Sequence, residues 1–222
     1  MQPSIVVLDP TGNDTLSSYR GPGRYLQMMR EALGDTIRFA SDLSEVRADD
    51  TLIIPFWFPF QRPLLTRKIC KRQLLIIFDV IPLNYPSHFP IGIKGYINLF
   101  LNKRSLSVYD GFITISEHAR RDIQRLLPVG NRPVHLLPPY TIDVLKGPRH
   151  PAVLMRDLIL PKKYLLYVAD VNWNKNLPNI ARAIKQADAP CVFAGKVFEE
   201  QKQAEARAAT NPWLAPYKEF LG

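Results

Sequence analysis

Short apolar runs alternate along this chain with amphipathic stretches of helical period. "SIVVLDP", "TIRFA" and "TLIIPF" read as strands, and "QLLIIFDV" is a near-continuous apolar run of the kind buried on both faces of a parallel sheet. "GRYLQMMREALG" sets Tyr25, Met28, Met29 and Leu33 on one helical face, with Gly34 as its stop. "GIKGYINLFLNKRSLSVYD" has a helical pattern, "GFITIS" a strand pattern, and "EHARRDIQRLLP" reads as a helix with Ile123, Leu126 and Leu127 inward. "PVHLLPP" is a further strand.

A proline-rich break from Pro138 to Pro161 interrupts the pattern and reads as a linker. A fresh strand, "KYLLYVAD", follows it. Next come the helix "NLPNIARAIKQA", with Asn176 as its N-cap and Pro178 in its first turn, and the strand "PCVFAG". "EEQKQAEARAA" reads as a polar helix and "EFLG" as the start of another strand. Strand–helix alternation predicts an α/β protein. The expected organisation is a Rossmann-like parallel sheet with flanking helices over 1–140, a linker over 141–162, and an incomplete second Rossmann-like domain over 163–222. The first sheet is expected to hold about six strands and the second about two and a half.

Charge adds a partner to the picture. The 222-residue chain carries a net charge of +9, and 46% of its residues are apolar, enough for an ordinary core. Its cations cluster in "RPLLTRKICKR", in Lys103 and Arg104, in "ARRDIQR" and in "PKK". Nucleic acid, anionic lipid and phosphorylated substrates are the partners such a balance suggests. No RNA-recognition or helix-turn-helix signature is present, so nucleic acid is not expected. Over Arg62–Arg72, Leu64, Leu65 and Ile69 alternate with Arg67, Lys68, Lys71 and Arg72. That pattern predicts either an interfacial helix meeting an anionic membrane or a solvated face on a core-packing helix. No apolar run approaches the roughly 18 residues of a membrane span. The beginning has no basic n-region and carries Asp9 and Asp14 early, so no secretory signal is expected and the expected location is cytoplasmic, or peripheral at the inner membrane face. Cys70 and Cys191 have no ligand-like spacing and read as structural thiols. His88, His135 and His150 have no metal-ligand spacing either, and no metal is expected.

Four segments could carry chemistry. In "YRGPGRY", Gly21 and Gly23 let backbone amides approach a ligand where a helix begins, or serve a tight turn; a third glycine of the dinucleotide fingerprint is missing. Asp79 in "IIFDVIPLNYP" stands just past the carboxyl end of a buried strand, where open α/β sheets bind ligands and where Asp also caps turns. Ser116 in "ITISEHARRD" occupies the same kind of position and N-caps the following helix, with Glu117 and His118 beside it. In "VADVNWNKN", Lys175 stands at a helix start, where a cation opposes the helix dipole unless an anion joins it. A solvated lysine is the other reading.

Taken in order, "GxGRY", "DVIPLxYP" with "HFPxGIKG", "ITISExxRRDI", "LLPP", "KYLLYVxDVNxNKNLPNI" and "VFAG" closely resemble glycosyltransferase family 4. These are retaining sugar transferases of the two-Rossmann-domain, GT-B type, and the resemblance runs over essentially the whole chain. It implies an acceptor-side first domain, a nucleotide-sugar-binding second domain, catalysis in the cleft between them, and no metal or other cofactor. No Asp-x-Asp occurs here. Lys175 and Asn174, with Gly21 and Gly23 opposite, would contact the donor phosphates. Arg24, Tyr25, Asp79, Ser116 and Glu117 would line the acceptor side. No catalytic residue is assigned, and Asp79 is the nearest candidate.

The implied partners are a UDP- or GDP-linked sugar and a glycan or lipid-linked acceptor, in cell-surface polysaccharide synthesis. The sequence departs from the family at Phe78, where relatives often have His, and at Ala169 and Asn174, where many have Gly and Arg. The family's pair of glutamates separated by seven residues, which grips the donor sugar, is absent. A truncated second domain and weak transfer by this chain alone are therefore expected. The alternative is a non-catalytic remnant or interaction module that keeps the acceptor-side fold.

Overall fold

The structure is a computed structural model that describes residues 4–13, 21–140, 160–169 and 173–194. The chain divides into two compact units, Met1–Pro148 and Arg149–Gly222.

The first unit is built on β1 (Ile5–Leu8), α1 (Gly21–Leu33), β2 (Arg38–Ala40), β3 (Thr51–Ile54), β4 (Arg72–Ile76), the single turn α2 (Ile81–Asn84), α3 (Ile93–Ser105), β5 (Gly111–Thr114), α4 (Glu117–Leu126) and β6 (Val134–Leu136). Its six strands form one sheet in the order β2-β1-β3-β4-β5-β6. Every neighbouring pair is parallel. The expected α/β architecture with a Rossmann-like parallel sheet is therefore present.

Alternation of side chains along each strand explains why these runs are apolar throughout. Val6, Leu8, Leu52, Ile54, Leu75 and Phe112 face one layer, where Leu106 and Tyr109 beyond α3, and Ile123 and Leu127 around α4, cover them. Val7, Ile53, Leu74, Ile76 and Ile113 face the opposite layer and meet Tyr25, Leu26, Met28 and Met29 of α1. The helical face read from the sequence is thus the one that packs. Gly34 stops α1 at a φ of +47°, a left-handed conformation that costs glycine nothing.

The segment Arg62–Arg72 is not a helix, which corrects the interfacial-helix expectation. It runs as an irregular connection from β3 to β4, and Arg72 already belongs to β4. Tertiary contacts override its helical spacing. Leu65 and Cys70 are buried and Ile69 packs on the same cluster. The backbone is fixed by the Lys71 N–H donating to Ala48 O (2.7 Å) and the Ile69 N–H donating to Gln73 Oε1 (2.6 Å).

In the second unit β7 (Leu165–Val168) and β8 (Cys191–Ala194) pair in parallel, and α5 (Leu177–Gln186) lies between them in sequence. Leu177 and Ala181 are the buried residues of α5. The expected polar helix at "EEQKQAEARAA" and strand at "EFLG", and most of the linker, lie outside the described residues.

Candidate functional site

The strand order places the topological switch point between β1 and β3, because the chain crosses to β2 on one side and then returns past β1 to β3. Ligands of open α/β sheets bind at the carboxyl ends of strands near such a point. Asp9, directly after β1, is buried there. Its carboxylate accepts from Arg30 Nη2 (2.7 Å) and from the Thr11 N–H (2.9 Å) and Oγ1 (2.5 Å). Burial pushes the Asp9 pKa upward, but the bonds from Arg30 and Thr11 outweigh it and hold the pKa below its ordinary value. Arg30 itself stacks 3.7 Å from the Phe39 ring centroid. Asp9 is a structural anchor, spoken for on both oxygens.

Three aromatic residues follow β3. Phe56 joins the core layer beneath α1, Trp57 packs into the opposite layer, and Phe58 is exposed. The buried Trp57 indole N–H takes no partner among the described residues. The sequence reading did not single out this run, although "PFWFP" after a strand was its signal.

Tyr25 gathers the ends of β4 and β6 to the start of α1. Its ring meets Phe78 edge-on at 5.1 Å, and its hydroxyl donates to Leu137 O at 2.7 Å. It is 3% exposed, and burial raises its pKa well above the usual phenol value. One turn on, the Tyr140 N–H approaches Met28 Sδ at 3.3 Å. Gly21 opens α1 with Pro22 in the same first turn, and a Cβ added at Gly21 would meet nothing within 4 Å. Gly23 is buried, so its lack of a side chain serves packing. Arg24 Nη1 donates to Gln27 Oε1 at 2.9 Å along the helix.

Asp79 lies exposed just past the top of β4, beside Phe78. Its Oδ1 accepts from the Ile81 N–H at 3.1 Å, and it forms no ion pair among the described residues. The carboxylate is thus oriented by the backbone through one oxygen. Ser116 caps α4, with Oγ accepting from the Ala119 N–H at 3.1 Å. Glu117 pairs with Arg120 at 2.8 Å. Asp122 links α4 to α2: it accepts from Asn84 Nδ2 (2.6 Å), Arg125 Nη2 (2.8 Å) and, at 3.3 Å, lies against His118 Nε2. The Arg125 bond, more than any other contact, keeps the Asp122 pKa below the usual carboxylate range. This network holds the turn carrying Asp79 against α4.

In the second unit Lys175 ends the 3-10 turn Trp173–Lys175, exposed, with Asn174 exposed beside it. Asn176 occupies the N-cap position of α5 at a φ of 51°. Its side chain caps no amide, contrary to the expected role, because Oδ1 accepts from Asn179 Nδ2 at 2.8 Å instead. The first amides of α5 therefore have no side-chain cap. Among the described residues no group of three or more His, Cys, Asp or Glu is placed to hold a metal ion.

The fold and this edge define the chain as a doubly wound parallel α/β protein. No family model, curated protein or solved structure matches it.

Proposed function

We propose that the chain is a glycosyltransferase of the retaining family-4, GT-B kind, moving a sugar from a UDP- or GDP-linked donor to a glycan or lipid-linked acceptor in polysaccharide synthesis. The observation that carries this reading is the meeting of the α1 start, Tyr25 and the ends of β4 and β6 at one carboxyl edge, in the order of the sequence motifs. That edge would serve the acceptor side. Asp79, clamped through one oxygen, has the right form to accept hydroxyl hydrogens from a sugar. Exposed Phe58 offers an apolar ring face at the same edge.

Lys175 and the uncapped start of α5 would take the donor diphosphate. In the transfer the bond from the anomeric carbon to the β-phosphate oxygen breaks, the acceptor oxygen bonds to that carbon, and its proton passes to the departing phosphate. Negative charge develops on that phosphate, and a fixed cation and helix amides stabilise it. Lys175→Ala is expected to weaken UDP or GDP binding by about 1–3 kcal/mol, the range for a lost charge-assisted hydrogen bond. Titration calorimetry on the 222-residue chain checks it. Failure of both nucleotides to bind would sink the reading, and an unchanged dissociation constant would remove Lys175 from the site.

Phe78 favours a second reading, a non-catalytic module that keeps the acceptor-side fold. Its ring seals the top of β4 against Tyr25 where a polar group would face a reacting sugar. Nucleotide binding without acceptor-dependent nucleotide release is the result that reading expects.

A further inference from the structure

Helix α3 is inside out. Its two buried residues, Asn102 and Ser105, are polar: Asn102, 2% exposed, donates through Nδ2 to Pro59 O (3.2 Å), Gln61 O (2.6 Å) and Asn98 O (2.9 Å), and Asn98 Nδ2 donates to Phe60 O (2.9 Å). Buried Ser105 donates to Asn102 O. The apolar stripe faces outward instead. Ile93 is 81% exposed, Tyr96 62%, Ile97 54% and Phe100 65%, with Leu101 continuing the line. These positions recur at three- and four-residue intervals, the spacing of one helical face. A helix held to its own domain by burial turns that face to the core. This one is fastened by asparagines to the 59–61 turn and presents its apolar ridge to the surroundings.

The charge around the ridge identifies what the ridge meets. Between Asp50 and Asp110 the chain holds eight lysines and arginines and a single acid, Asp79. Lys94 and Lys103 fall on opposite flanks of the ridge by helical geometry, and Arg104 continues its line. None of the three forms an ion pair among the described residues. At the carboxyl end of α3, Arg62, Thr66, Leu101 and Arg104 are among the residues that line one depression, which brings two cations together beside the apolar stripe. On the other side, Pro82, Leu83, Phe89, Ile91, Tyr96 and Leu99 line an apolar groove that shares Tyr96 with the ridge. A contiguous apolar surface of this kind marks an interaction site. Aliphatic and aromatic side chains between flanking cations are what an interfacial helix lays into the boundary of headgroups and acyl chains. A second copy of the chain would set cations against cations. A nucleic acid would leave the ridge wet.

We propose that α3 is a membrane-docking helix that seats Ile93, Tyr96, Ile97 and Phe100 in the surface of an anionic bilayer, with Lys94, Lys103, Arg104 and Arg62 against lipid phosphates. The assignment is independent of the glycosyltransferase reading. It moves the anionic-membrane contact from the 62–72 segment to the neighbouring helix, to which Arg62 contributes. No helix among the described residues is long and apolar enough to cross a membrane.

Vesicle flotation with the 222-residue chain tests it, using phosphatidylcholine alone and phosphatidylcholine mixed with phosphatidylglycerol. The wild type is expected to float with the mixed vesicles at low salt, and much less with neutral vesicles or at high salt. Tyr96→Asp with Phe100→Asp should abolish flotation while the melting temperature stays unchanged, because both side chains are exposed. Lys103→Gln and Arg104→Gln should each weaken binding to the mixed vesicles, by about fivefold per cation removed. Equal recovery with both vesicle types overturns the proposal. So does flotation that survives the double aspartate variant. A steep fall in melting temperature for that variant would show the ridge to be covered within the chain. Dimers that the same variant disperses, or retention on oligonucleotides without flotation, would assign the face to a second copy or to nucleic acid.

Discussion

Replacing Asp50 with alanine is expected to cost about 3 kcal/mol of stability, because several donors lose their buried acceptor and each one left unsatisfied costs about 1–3 kcal/mol. The side chain is fully buried. One oxygen accepts from the Ser4 N–H (3.1 Å) and Oγ (2.9 Å), and the other from the Arg47 N–H (2.9 Å) and Arg38 Nη2 (3.1 Å). Ser4 precedes β1, Arg38 lies in β2, and Asp50 itself precedes β3. One carboxylate thus gathers the amino ends of three adjacent strands. Asp50→Asn keeps the shape and one acceptor oxygen but turns an amide toward Arg38 and the Arg47 N–H, which both donate. It should also be strongly destabilising.

The same network predicts a pH response. Burial pushes the Asp50 pKa up, but the Arg47 and Ser4 bonds and the Arg38 charge win and hold it below its ordinary value. A carboxylate with a depressed folded pKa takes up its proton more readily when the chain is unfolded. Its stabilisation is therefore complete above the unfolded value of about 3.9 and is lost as pH falls through the folded one. Urea midpoints at pH 7 and pH 3 check this. The gap between wild type and Asp50→Asn should narrow in acid, and a constant gap would mean the charge contributes nothing.

Local pattern carried the strands and α1, because strands buried on both faces must be apolar throughout and α1 buries the face its spacing names. It failed where long-range contacts decide. The spacing of Leu65 and Ile69 suits a helix, yet both side chains are claimed by a core that the next strand brings alongside. The pattern of α3 revealed a helix but not its orientation, since the partners of Asn98 and Asn102 lie about forty residues earlier, in the 59–61 turn. At the site, Asp79 and Ser116 were legible as residues just beyond strand ends, and Ser116 caps its helix as its type suggests. The anchoring of Tyr25 was not legible. Its partner Leu137 is 112 residues away. Nor did the sequence show that Asn176 would give its side chain to Asn179 rather than to an amide.

Tyr25 joins fold to site, and two substitutions separate its roles. Tyr25→Ala removes a buried ring from between α1 and the top of β4. It should cost about 3–5 kcal/mol, as deletion of a buried aromatic does, and should loosen the start of α1. Tyr25→Phe keeps the edge-on contact with Phe78 and deletes only the hydroxyl. Leu137 O then loses its donor, at a cost of about 1–3 kcal/mol if the carbonyl stays dry. Denaturant unfolding gives both costs. If the hydroxyl acts only by pinning the end of β6, Tyr25→Phe should change ligand affinity no more than it changes stability. With a nucleotide sugar and an oligosaccharide acceptor as probes, a large loss of binding at nearly unchanged stability would refute that role. It would show that the hydroxyl leaves Leu137 to meet the ligand, and that the buried arrangement is the resting one.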